Sequence, residues 1–420
     1  MSQSPTSPSG PANWLAGVLA PAEDDIVKCV ACGLCLPHCP TFRLTGRETA
    51  APRGRIAAMR AVQEGRAEVD EAFSTMMDEC LACRACETAC PSGVPYGRMI
   101  EGARAQVEAT RTVPVRGLRG LALGRLMAHP RLMRLMGVGL GIQQALGIDR
   151  LLPERLRAGA PRVSLAQMLQ PVPGAVGSGP VAAVLRGCVM DVAFRPVQRA
   201  TMRAVAAAGY HARMPRGSCC GALAAHYGHP DAAKRMAKAR IEEFERMGAA
   251  AVVVNSAGCS GHMKTWGHLL ADEPGWAERA QAVADRVVDV LELDLASAPV
   301  RDDLVAVHDA CHHVNGQGIR SETRRMVAAS GARPVEIPDD GRCCGAAGMY
   351  SVLQPAMSGE LRRQKAEAIA RSGARVVACA NPGCAAQIAA GLRVIGHDVE
   401  VRHPVELIDP VPGDAAPRVP

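Results

Sequence analysis

Aromatic residues are scarce in this chain: Phe, Trp and Tyr together make up 3% of its 420 residues. That argues against binding of single-stranded nucleic acid, which relies on aromatic platforms for stacking bases. Long apolar runs are missing too. No stretch approaches the roughly 20 apolar residues a helix needs to cross a bilayer. Residues 1–21 are rich in Ser, Pro and Gly, with no basic start and no apolar core, and do not read as a secretory signal. No G-x-G-x-x-G run joins a strand pattern to a helix pattern, so no flavin or nicotinamide site is expected. What the chain has in excess is cysteine, 17 in all. The count is odd, and disulfide frameworks suit small secreted domains rather than a chain of this length. A reducing cytoplasm, with thiols kept for metal, is the expected setting.

Eight of these cysteines fall in two runs of identical spacing: Cys29, Cys32, Cys35, Cys39 before Pro40, and Cys80, Cys83, Cys86, Cys90 before Pro91. Two complete copies, each ending in Cys-Pro, argue against zinc or disulfides. The spacing resembles that of bacterial two-cluster ferredoxins, where the fourth cysteine of each run ligates the other run's cluster. The resemblance implies two 4Fe–4S clusters. Cys29, Cys32, Cys35 and Cys90 would hold one; Cys80, Cys83, Cys86 and Cys39 would hold the other. The formal charge of +7 shrinks accordingly. An oxidised cluster with four thiolates carries about −2, so two clusters leave about +3 and a third about +1. Nucleic-acid binding is therefore not expected.

The length suggests two to four domains. Residues 1–20 read as a mobile tail and 21–110 as the two-cluster module. Between the cysteine runs, residues 53–77 carry apolar side chains at helical spacing, which predicts an α-helical ferredoxin domain. Residues 111–178 read as a helical connector in which Pro130 separates two shorter helices. Its alternation of Leu and Met with Arg also fits a segment lying on a membrane surface. Residues 171–180, PVPGAVGSGP, read as a linker.

The remainder repeats itself. Cys188, Cys219, Cys220 and Cys259 recur as Cys311, Cys343, Cys344 and Cys384, with offsets of 123 to 125 residues. Strand patterns at 181–185 and 304–307 lead into the first cysteine of each set, and those at 251–255 and 376–381 into the last. Helical patterns at 232–247 and 361–371 lie between them. Strands alternating with helices predict parallel α/β layering. The domains are expected at 179–297 and 298–412, as pseudo-symmetric lobes. Four thiols per lobe at strand ends could hold a further iron–sulfur cluster, act as redox thiols, or be buried core cysteines. His308, His312 and His313 flank Cys311, placed to ligate iron, to pass a proton, or to serve as core histidines. Arg53 and Arg55 either offset cluster charge or line a solvated helix face. Cys379, outside both patterns, reads as a core cysteine.

The lobes resemble the cysteine-rich CCG domains of heterodisulfide reductase and related oxidoreductase subunits. The whole order resembles the iron–sulfur subunits of glycolate oxidase. The residues that carry this are Cys29–Pro40, 51–56 (APRGRI), Cys80–Pro91, 308–313 (HDACHH), 342–354 (RCCGAAGMYSVLQ) and 380–384 (ANPGC). Full CCG domains end in C-x-x-C; here the first member of that pair is Ser256 in one lobe and Asn381 in the other. The missing fifth thiolate weighs against disulfide-cleaving chemistry. The resemblance implies an oxidoreductase subunit without catalytic residues of its own, served by a flavoprotein (FAD) partner that oxidises glycolate to glyoxylate. It also implies a downstream acceptor, with peripheral contact to the inner face of the cell membrane or to a quinone as one option. The alternatives are a lactate or glycerol-3-phosphate oxidising complex, a heterodisulfide-reductase-like enzyme, and a non-catalytic iron–sulfur scaffold.

Overall fold

A computed structural model describes residues 12–151 and 160–408. They form two compact units. One runs to Gly120 and includes Leu223–Pro230; the other comprises Leu121–Ala222 and the chain from Asp231 onward.

The first unit is helical. Helix Pro52–Gln63 starts with proline at a position whose N–H would be unpaired in any case. Its Ile56, Met59 and Val62 recur at helical spacing and are buried with Phe73, Met77, Met99 and Ile100. Asp70 caps the next helix, Glu71–Asp78, by accepting the Phe73 N–H at 2.8 Å. The helical segment expected over 53–77 is thus two helices, parted at a turn where Gly65 takes φ +69°. Helix Tyr96–Thr110 completes the core. The tail expected over residues 1–20 needs correction. Residues 1–11 lie outside the described residues, but the next ones are tied down. The Asn13 N–H reaches the Val62 carbonyl at 3.0 Å, Trp14 Nε1 donates to Gln63 at 2.7 Å, and the Leu15 N–H donates to Gln106 at 2.7 Å.

The second unit carries two sheets. The first contains β1 (Ala175–Val176), β2 (Val181–Val184), β3 (His211–Arg213), β4 (Ala251–Val254) and β5 (Val287–Asp289), in the order β1-β3-β2-β4-β5. Only β1 runs antiparallel. The second contains β6 (Leu304–His308), β7 (Arg333–Glu336), β8 (Val376–Cys379) and β9 (Glu400–Arg402), all parallel, in the order β7-β6-β8-β9. Leaving β1 aside, the two orders are the same, which is the structural form of the sequence repeat. The stretch 171–180 is therefore more than a linker. Its Ala175 and Val176 add an edge strand, and Gly177 takes φ +81° where a side chain would collide with the Tyr210 carbonyl. The helices between strands present one apolar stripe each: in Pro230–Arg246 the buried set includes Ala233, Met236, Ala237, Ile241 and Phe244. Ile319, Met326, Ala380 and Val405 of the second lobe share a core cluster with Ala182, Val184 and Val253 of the first, so the lobes are packed through a common apolar seam.

Helix Pro130–Ala145 opens at Pro130 and packs on the first lobe through Gly137, which lies against Val192. Arg134 pairs with the buried Asp191 at 2.8 Å. Its Leu132, Leu135 and Met136 stay exposed. Among the described residues, no helix is long and apolar enough to cross a membrane.

Candidate metal centres

In the first unit the two cysteine runs bend alike. Ala31 and Gly33 of the first, and Ala82 and Arg84 of the second, occupy equivalent positions, and all four have positive φ. Three of the four are not glycine, at a cost of about 1–2 kcal/mol each. Such strain gathers where the backbone must cup a ligand with its N–H groups. The Ala82 N–H already points at Cys80 Sγ, at 3.3 Å.

Two cavities result. One is lined by Cys29, Cys32, Cys35 and Cys90, and the other by Cys39, Cys80 and Cys83; Cys86 borders both. Each run thus sends its fourth cysteine to the cavity of the other run. Arg55 is only 1% exposed although it is charged. Its Nε donates to the Met76 carbonyl at 2.7 Å, and its charge lies beside Cys80, Tyr96 and Cys39. Burial alone would raise the Cys80 thiol, but Arg55 and Arg104 pull it below the ordinary thiol range. Cys86 lacks such help, and burial beside Cys83 and Cys80 pushes it well up. Arg53 instead pairs with Glu48 at 2.7 Å and braces the ligating loop through the Ala31 carbonyl at 3.2 Å. Two sets of soft donors in apolar pockets, one with a buried cation at hand, fit two four-thiolate cubes.

In the second unit each set of repeated cysteines converges. Cys219 accepts from Cys188 and Cys220, and Cys220 also lies within hydrogen-bond reach of Cys259. Cys343 accepts from Cys311 and Cys344, and Cys344 also lies within hydrogen-bond reach of Cys384. Every one of these loops follows the carboxyl end of a parallel strand, where such sheets build their sites. Cys219 and Cys343 are each held well below the ordinary thiol range by those two thiol donors. Cys220 and Cys344 are pushed well above it by donating to their neighbours and by burial. Each lobe also places one cation at the equivalent helix position: the half-buried Arg240, paired with Glu243 at 3.0 Å, and the buried Lys365, paired with Asp339. The Cys-Cys-Gly corners need their glycines. Gly345 has φ +82°, and a Cβ there would lie 2.9 Å from Ser358 O and Leu361 Cβ. Gly345→Ala is expected to destabilise the protein by about 2–3 kcal/mol, measured as a lowered chemical-denaturation midpoint.

The flanking residues divide. His313 Nε2 bonds the buried carboxylate of Asp289 at 2.8 Å and so ties the lobes together. His308 lies with Cys344 and Cys384. The carbonyl of His312 accepts a bond from Gln317 at 3.2 Å. Asn381 fills the place of the missing fifth cysteine and donates to Cys384 Sγ at 3.3 Å; Ser256, its counterpart, bonds Asn381 at 3.3 Å. Cys379 is buried, as a core cysteine would be, but it also hydrogen-bonds Cys384. The sequence repeat cannot reveal it, because its counterpart position is Val254.

Comparison with known proteins places these centres. Residues 25–94 match the family described as 4Fe-4S dicluster domain, and residues 182–264 and 305–389 each match the family described as Cysteine-rich domain. A Bacillus subtilis (strain 168) protein named "Probable glycolate oxidase iron-sulfur subunit" is 35% identical over 408 residues, 90% of this chain and 92% of that one. The glycolate oxidase iron-sulfur subunit of Escherichia coli (strain K12) is 30% identical over 400 residues, 92% of this chain and 94% of that one. Lactate utilization protein A of Exiguobacterium sp. is 30% identical over 241 residues, which is 97% of that protein but 55% of this chain. A dicluster domain followed by two cysteine-rich lobes, aligned nearly end to end with the first two of these relatives, places this chain in the family of glycolate oxidase iron–sulfur subunits.

Proposed function

We propose that this chain is the electron-transfer subunit of a complex that oxidises glycolate to glyoxylate, and that the oxidation itself takes place on a flavoprotein partner. The observation that carries the reading is the 30–35% identity to glycolate oxidase iron–sulfur subunits over at least nine-tenths of both chains. Glycolate gives up two electrons and two protons on becoming glyoxylate. Iron–sulfur clusters take electrons one at a time and accept no hydride, so a flavin is the natural intermediary. The residues of this chain then have a supporting role. Cys29, Cys32, Cys35 and Cys90, and Cys80, Cys83, Cys86 and Cys39, are the proposed ligands of the two clusters. Arg55 and Arg104 supply buried positive charge beside Cys80. Burial keeps water from Cys39, Cys80 and Cys86, whereas Cys32 lies at the surface. The repeated cysteines are proposed to hold one further cluster or metal. The exposed Leu132, Leu135 and Met136 support contact with a lipid surface or a membrane quinone pool.

Lactate is the second substrate to consider, because lactate utilization proteins are also related at 30% identity. Co-purification with the flavoprotein, followed by dye reduction with glycolate, lactate or glycerol-3-phosphate, tests both readings. Glycolate is expected to be preferred by at least about tenfold in kcat/KM, a difference of about 1.4 kcal/mol in the transition state. The chain alone, free of flavin, is expected to be inactive with all three. Turnover of glycolate by the isolated chain would refute the subunit reading, and a preference for lactate would move the assignment to the second substrate.

A further inference from the structure

The two lobes repeat their four cysteines but differ in what stands beside them. Three residues before Cys188, at the end of β2, the first lobe has Leu185, which is buried in the apolar core. Three residues before Cys311, at the end of β6, the second lobe has His308. The neighbouring strand differs in the same way. His308 pairs in register with Cys379 of β8, where the first lobe has Val254. Two apolar side chains of the first lobe are therefore replaced in the second by two side chains able to bind metal.

His308 is 2% exposed, and its Nε2 has no hydrogen-bond partner among the described residues. A buried ring nitrogen without a partner loses about 1–3 kcal/mol of solvation, so some compensating interaction is expected. One is within reach. A ring nitrogen of His308 and the Sγ atoms of Cys344 and Cys384 all lie within 4.8 Å of one another. Ligand atoms around one tetrahedral zinc or iron ion lie about 3.3–3.8 Å apart, so a contraction of about 1 Å would close the set. Cys343 and Cys311 continue the chain of thiols from Cys344.

We propose that His308 is a metal ligand, and that the second lobe holds its metal through His308, Cys344 and Cys384 in a mixed imidazole–thiolate site that the first lobe lacks. The lobes are then chemically distinct. A donor set of two or more thiolates and one imidazole suits zinc or iron, as a single ion or as one iron of a cluster. An imidazole in place of a thiolate also removes one negative charge from the site. The proposal is independent of which hydroxy acid the complex oxidises.

The test uses the full-length protein, purified anaerobically with ¹⁵N-labelled histidine, in a Cys259→Ser background that disables the four-thiol set of the first lobe. Iron and zinc are counted per chain. Nitrogen coordination is read by X-ray absorption for zinc, or by pulsed electron paramagnetic resonance of the reduced protein for a cluster. Metal beyond the dicluster's roughly eight irons is expected, with a histidine nitrogen in its coordination shell. His308→Leu, which copies Leu185, should lower that excess at least tenfold and leave the eight irons in place. His308→Cys should keep the metal and lose the nitrogen signal. The nitrogen readout can also be taken on the unsubstituted chain, so it does not depend on any variant folding. An all-sulfur shell would overturn the proposal. So would excess metal undiminished in His308→Leu, or no excess metal even after anaerobic incubation with zinc(II) or with iron(II) and sulfide.

Discussion

Replacing Cys39 with serine is expected to remove about four of the eight irons of the N-terminal unit, and the cluster lost should be the one next to Cys80, Cys83 and Cys86. Cys39 follows Cys35 closely in the chain, yet the cavity it borders belongs to the second run. Its Sγ lies 3.3 Å from Thr41 Oγ1 and 3.6 Å from the Ala50 carbonyl, held by the turn that Pro40 opens into helix Pro40–Thr45. A serine hydroxyl there is a much poorer ligand, because it must lose a proton that a thiol gives up far more easily. Losing the cluster also leaves the buried Arg55 without most of its opposing charge. The variant should therefore be less stable as well, since an uncompensated buried charge costs about 3–5 kcal/mol. Cys90→Ser should have the mirror effect and remove the cluster of Cys29, Cys32 and Cys35. Iron and acid-labile sulfide counts, with the paramagnetic resonance of the reduced protein, separate the two variants. If each serine removes the cluster of its own run, the crossed ligation is wrong.

Asp289→Ala should cost about 3–5 kcal/mol and loosen the joint between the lobes. Asp289 ends β5 of the first lobe with no exposed surface. Its carboxylate meets His313 Nε2 at 2.8 Å, the Ser260 hydroxyl at 2.7 Å and the Leu291 N–H at 3.1 Å. His313 sits on helix Cys311–Gln317, so this contact also positions the helix that carries Cys311. Removing the carboxylate strands a buried imidazole and a buried hydroxyl together. Asp289→Asn, which keeps the shape, should lose less. Chemical denaturation of the two variants checks the order.

The same joint sets an acid limit. His403 occupies in the second lobe the helix-capping place that Asp289 holds in the first, and its Nδ1 accepts the Val405 N–H at 3.1 Å. Burial pushes its pKa down to about 4. The unfolded chain then binds the extra proton first, so stability should begin to fall below about pH 6.5 and go on falling to about pH 4. Burial alone would raise Asp289, but the charge of His313 and the hydrogen bonds hold it below the ordinary carboxylate value. Its contribution is thus present above the ordinary carboxylate pKa and is lost only as pH falls further, through its lowered value. His403→Gln should make the first of these two declines shallower and leave the second. Denaturation midpoints measured from pH 8 to pH 3 read both.

Much of the fold is legible in the residues because it rests on short-range rules. The strands expected at 181–185 and 251–255 are found at Val181–Val184 and Ala251–Val254, since a run of small and β-branched apolar residues between turn signals has few other uses. The harder features depend on distant partners. The edge strand Ala175–Val176 exists only because β3, some 36 residues on, offers it an open edge. Arg55 reads equally as a partner for cluster charge or as a solvated helix residue until the fold places it beside Cys80 and Tyr96. Nothing in the local sequence around Cys379 points to Cys384; the ends of β6 and β8 bring His308 and Cys379 alongside it.

The sequence by itself determined the kinds of donor, their spacing and the duplication of both modules. Those are properties of composition and of periods along the chain, and ligand chemistry follows from residue type. The tertiary structure decided which donors share a cavity, which charges are buried to oppose them, and how two lobes alike in their cysteines come to differ at His308 and Cys379. Such outcomes depend on separations of a few ångströms between residues far apart in the chain, and these arise only when long-range packing excludes water and closes the loops.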